Sequence, residues 1–115
     1  MYKQTTLDLI DNIMISALEG GINYWCASAS IAPDKNGNVV KRIPYLSTAE
    51  MVSRGATLAI QPDDETKSYY LDSKSVLKGW KQYKVNNPKA DPEDLDADAA
   101  DAIIQIAIFG EVIYG

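Results

Sequence analysis

The sequence predicts an α+β domain: an antiparallel four-stranded sheet built from two hairpins and packed on one face by three helices plus one short helix. Three observations carry this reading. Apolar residues recur at helical spacing in three segments, over residues 6–19, after Asp72 and after Asp96. Aromatic or alternating runs come in pairs, separated by turn-forming residues. The strand runs are grouped in hairpins instead of alternating singly with helices, which is the pattern of an antiparallel sheet with helices set to one side. The 115 residues, 46% hydrophobic, are expected to form a single domain over 1–115. A chain of this size buries about two-thirds of the surface that its unfolded form exposes.

The elements follow in order. Thr5 or Thr6 is a suitable N-cap, and Leu7, Ile10, Met14, Ala17 and Leu18 repeat along one helical face. Gly20 and Gly21 then end a first helix, one of them expected in a left-handed cap. "INYWCASAS" alternates and is aromatic, which predicts a strand over 22–31. Asn36-Gly37 is a hairpin-turn signal, and "VVKRI" is expected to return as the second strand until Pro44. "STAE" at 47–50 fits a capping box opening a short helix over 48–54, stopped by Gly55. "ATLAIQ" over 56–61 and "SYYLD", a strand over 68–71, flank the polar turn "PDDETK" and make the second hairpin. Asp72 or Ser73 caps a third helix with Val76, Leu77, Trp80 and Tyr83 on its apolar face. Lys74, Lys78, Lys81 and Lys84 lie mostly on the opposite face, where solvation is the ordinary role. The last helix begins near Asp96.

Composition excludes several chemistries. There is no histidine, so Ser–His and Cys–His catalysis within one chain is excluded and a four-ligand zinc site is disfavoured. Cys26 is the single cysteine. It has apolar neighbours and no basic one, as expected of a small buried hydrophobe. A net charge of −5 opposes generic nucleic-acid binding. No apolar run is long enough to span a membrane. "MYKQTTLDLIDN" lacks a secretory pattern, so a cytosolic setting is expected. No cofactor is expected.

The final stretch, "DADAADAIIQIAIFGEVIYG", holds the main candidates. Asp96 can cap the helix, and Asp98 favours the positive end of its dipole. Asp101 and Gln105 continue a polar stripe on a helix that is otherwise apolar nearly all round. Either they are satisfied inside this chain, with Arg54 or Arg42 as possible ion partners, or they line a pocket or an interface. Asp94, Asp96 and Asp98 resemble the start of a calcium loop, but alanines stand where glycine is needed and the closing glutamate is missing. A hydrolase pairing Asp101 with Glu19 or Glu111 stays open. Glu19 ends the first helix, where the dipole disfavours a negative charge, which points to another role. On a strand, Tyr24 and Trp25 point to opposite faces, so one is core and the other faces the open side of the sheet. The candidate contact set is Glu19, Tyr24, Trp25, Arg54, Asp98, Asp101 and Gln105.

The two end motifs, "ALEGGINYW" at 17–25 and "DADAADAIIQIAIFGEVIYG" at 96–115, together with "RGATLAIQPDDETKSYYLDSKSVLKGW" between them, resemble a family of small proteins encoded by tailed phages and prophages. Most of the chain is covered. The matching positions are Glu19, Gly20, Gly21, Tyr24, Trp25, Asp98, Asp101, Gln105, Gly110 and Glu111. The resemblance implies a viral protein in the cytoplasm of a bacterial host and brings no settled activity with it. The expected function is a phage accessory protein that acts by binding, not catalysis. It would inhibit a host enzyme or defence system or sequester a small nucleotide-like ligand, and would form a homodimer or larger homo-oligomer. Two alternatives remain: a carboxylate-dependent, magnesium-using hydrolase, and a virion or assembly component.

Overall fold

The structure, a computed structural model, describes residues 2–115. It is α+β, with helices α1 (Gln4–Ser16), α2 (Thr48–Ser53), α3 (Ser73–Asn86) and α4 (Ala97–Phe109) and strands β1 (Cys26–Ile31), β2 (Leu58–Pro62) and β3 (Tyr69–Leu71). The sheet has three strands in the order β1-β2-β3, each pair antiparallel. The predicted four-stranded sheet is therefore wrong by one strand, and the missing strand is the "VVKRI" arm.

The reason lies in one hydrogen bond. The Asn36-Gly37 turn does form: the Gly37 N–H donates to the Asp34 carbonyl and the Asp34 N–H to the Asn38 carbonyl, both at 2.9 Å, with Gly37 at φ +83°. Extending that hairpin inward pairs Ala32 with Val40. The Ala32 N–H already donates to the Thr57 carbonyl at 2.8 Å, beside β2, and Pro33 has no N–H to offer. In an antiparallel ladder a residue's N–H and C=O face the same neighbour, so Ala32 cannot serve both. The arm leaves the sheet, and Val39 is 91% exposed. β1 pairs instead with β2, whose Leu58 and Ile60 are fully buried. The second hairpin forms as expected, with Leu58 opposite Leu71 and Ile60 opposite Tyr69.

The first helix also departs from expectation. Its N-cap is Lys3, without a side-chain bond, and the chain passes at Ala17 into a π-helical turn, Ala17–Gly21. Neither Gly20 nor Gly21 has a positive φ. Gly21 is needed for another reason: a Cβ there would lie 2.7 Å from the Ala97 carbonyl oxygen, so only glycine lets the turn seat against the start of α4. Turn-like bonding persists to Cys26, whose N–H donates to Ile22. The predicted strand over 22–31 thus loses its first four residues, and Tyr24 and Trp25 lie on a turn, not on opposite sheet faces.

The remaining signals hold. Ser47 and Glu50 make the reciprocal capping box of α2. The Asp72 side chain caps α3 and that of Asp96 caps α4, each accepting from the N–H three residues on. A cap not among the expected ones, left-handed Gly110 at φ +84°, closes α4. The core joins Ile10, Ile13 and Met14 of α1, Leu58 and Ile60 of β2, Val76 of α3, and Ile103 and Ile104 of α4.

Candidate functional site

Four of the seven sequence candidates meet at one point. Asp101 is only 8% exposed. Its Oδ2 accepts from the Tyr24 hydroxyl at 2.5 Å, and its Oδ1 from Trp25 Nε1 and Gln105 Nε2, both at 2.8 Å. Gln105 uses its other end on the C-terminal tail. Its Oε1 accepts from the backbone N–H groups of Ile113 and Tyr114 at 2.8 Å each, while Nε2 also donates to the Tyr114 carbonyl at 3.1 Å. The carboxylate fixes the amide, and the amide holds the tail.

Aromatic packing completes the clamp. The Tyr114 ring stacks on Trp25 with centroids 5.2 Å apart and planes 6° from parallel. Phe109 meets Trp25, Tyr69 and Tyr114 at tilted or edge angles. The Tyr114 hydroxyl donates to Asp64 Oδ1 at 2.6 Å, in the loop between β2 and β3. The polar stripe of α4 is thus spent within the chain. Asp98 lies exposed in its first turn. Neither arginine offered as an ion partner reaches Asp101: Arg54 lies 3.8 Å from Glu50, and Arg42 donates to Thr48. Sequence reasoning missed Tyr114, Phe109 and Asp64. The only available hint was an aromatic placed shortly after a helix-ending glycine.

The clamp has a pH signature. Tyr24 as a residue is 55% exposed, but its hydroxyl is bonded to the buried Asp101. Loss of solvation there, and then the bond to Asp101 and its negative charge, push the phenol up to about 12. Tyr114 is also raised, first by its bond to Asp64 and then by lost solvation. A phenol whose pKa is higher folded than unfolded adds stability that is fully present below its unfolded value, about 10, and is lost as pH rises through the folded value. Stability should therefore fall between about pH 10 and pH 12, and Tyr24→Phe should make the fall shallower. Urea midpoints measured across that range check this; an unchanged slope in the variant would contradict it.

Glu19 stands apart from the clamp. It lines a cleft of about 390 Å³ together with Ile15, Leu18 and Ile22 on one side, Ala27, Ser28 and Ala29 of β1, and Ser47, Thr48 and Ala49 at the start of α2. No residue of β2 or β3 lines it, so it lies beside the first part of β1, residues 26–29, on the side away from β2. No lysine or arginine lines it. Cys26 is half-buried in its wall, its thiol donating to the Ser28 carbonyl at 3.2 Å, and burial pushes that thiol's pKa up.

The ladder shows what β1 offers there. Since Ala32 bonds toward Thr57, Ser30 and Ser28 also face β2, opposite Ala59 and Gln61. Ala29 and Ile31 turn their N–H and C=O groups to the free edge. Among the described residues no group of three or more His, Cys, Asp or Glu is placed to hold a metal ion, and no helix is long and apolar enough to cross a membrane. Comparison of the chain with protein-family models, curated proteins and solved structures finds no match.

Proposed function

We propose that this is a binding protein whose contact surface is the cleft along the outer edge of β1. One observation carries the reading. The cleft walls stand beside a strand edge with unpaired main-chain groups and, within the strand itself, no charge or proline. Edge strands are ordinarily protected by lysine, proline, shortness or a covering element. β3, the other edge, is three residues long. β1 is six residues long, Cys-Ala-Ser-Ala-Ser-Ile, and its only protective device is a bulge near its first end.

The alternative of a carboxylate hydrolase is less well supported. Both Asp101 oxygens accept hydrogen bonds within the chain, and Glu19 lines a cleft that Asp101 does not reach. A nucleotide-like ligand is also less favoured than a protein, because the cleft presents a carboxylate and no cation to a phosphate. The resemblance of the end motifs to a phage-encoded family supports an accessory role in an infected bacterial cell, through inhibition of a host protein.

A photo-crosslinking amino acid at position 28, in a chain incubated with bacterial lysate, tests the reading. The expected result is one discrete adduct, lost on Ala29→Pro. That substitution removes an N–H facing away from β2, so the sheet should keep its pairing, and an unchanged urea midpoint confirms that it does. No adduct, or an adduct indifferent to Ala29→Pro, would refute the proposal.

A further inference from the structure

We infer that the occupant of this cleft is an extended polypeptide segment that adds to β1 as an outer strand, with a lysine or arginine placed against Glu19. The inference rests on the binding reading above and names the chemistry of its partner. Main-chain groups are the first argument. The N–H and C=O of Ala29, which lines the cleft, and of Ile31, on the same edge just beyond it, repeat at the spacing of alternate strand residues, which is what strand addition reads. The β1 side chains that line the cleft, Cys26, Ala27, Ser28 and Ala29, are small, so an added strand can approach without displacing them.

The cleft walls supply the second argument. Ile15, Leu18 and Ile22 stand on one side of the space beside β1, and Ile15 is 38% exposed. An added strand would turn every second side chain toward them, so those side chains should be apolar. Charge is the third. Glu19 is exposed and, among the described residues, has neither a hydrogen bond nor an ion pair. It therefore disfavours an acidic residue beside it and favours a basic one.

Two other occupants fit less well. The chain's own 39–43 arm forms no ladder with β1, which pairs with β2 alone, and its Val39 is 91% exposed. A second copy pairing through its own β1 would bring a second set of cleft walls against the same edge, and that strand, Cys-Ala-Ser-Ala-Ser-Ile, has no lysine or arginine to set against Glu19. The partner's segment is therefore a different chain.

Selection of short random peptides on the full chain tests this. Enriched peptides should alternate apolar and polar residues, lack proline within the run, and carry a lysine or arginine. Adding one at saturation should slow amide hydrogen exchange at Ala29 and Ile31, and methylating its alternate backbone nitrogens should abolish binding. Glu19→Gln should weaken binding about fivefold, as for loss of an exposed ion pair, and should leave a neutral peptide of the same pattern unaffected. Enriched peptides with helical spacing, or peptides that bind with exchange at Ala29 and Ile31 unchanged, would overturn strand addition. A position-28 adduct to a lysate protein, with no peptide enriched, would overturn strand addition and leave the binding reading standing. No adduct and no peptide would remove both.

Discussion

Asp101→Ala is expected to lower stability by about 3–4 kcal/mol. The carboxylate accepts from Tyr24, Trp25 and Gln105, and hydrogen bonds to a charged group are worth about 1.5–3 kcal/mol each, with non-additive overlap. Removing it also strands the Trp25 indole N–H, whose ring is almost fully buried, and frees Gln105 to turn away from the tail. Against a total of about 5–15 kcal/mol for a domain, this is a large fraction. Asp101→Asn should cost about half as much, since the amide oxygen still accepts while its nitrogen faces donors. Urea unfolding provides the measurement, and faster amide exchange at Ile113 and Tyr114 should accompany the loss. A variant with an unchanged midpoint that fails to form the position-28 adduct would return Asp101 to the contact surface.

The second large effect is expected at Gly79. A Cβ there would lie 2.6 Å from the Ile103 carbonyl oxygen and 3.0 Å from the Ala107 Cβ. The obstacle is helix backbone, which cannot rotate aside, so α3 and α4 must separate along their most extensive contact. Overpacking costs about 1–3 kcal/mol and occasionally more, and alanine recovers about 1 kcal/mol of helix propensity. A net loss of about 2 kcal/mol, the upper end of that difference, is expected, because the contact is closer than side-chain adjustment can relieve. Gly21→Ala should also destabilise, through its 2.7 Å approach to Ala97. Gly20→Ala meets nothing within 4 Å and should stabilise by up to about 1 kcal/mol. Thermal midpoints for the three variants separate close approach from chain entropy; equal effects at Gly20 and Gly21 would contradict the packing argument.

The legible parts of this protein are local. The capping box at Ser47, the Asp72 and Asp96 caps and the turn at Gly37 each depend on residues within one turn of chain, so the pattern in the sequence is the whole cause. The polar stripe on α4 was legible too, because Asp101 and Gln105 interrupt an otherwise apolar helix. What they would bond was not. The Trp25 that satisfies Asp101 lies 76 residues away, and no spacing rule reaches that far. The tail clamp and the Gly79 contact were hidden for the same reason.

The sequence by itself determined the helices, the second hairpin and the exclusion of histidine chemistry, because these follow from composition and short-range periodicity. Tertiary structure alone decided which strand β1 would pair with. One N–H of Ala32 could serve either the adjacent arm or a strand more than twenty residues on, and burial of Leu58 and Ile60 favoured the distant strand. The polar stripe is likewise settled only in three dimensions, by the approach of Tyr24 and Trp25 to Asp101 and of the tail to Gln105.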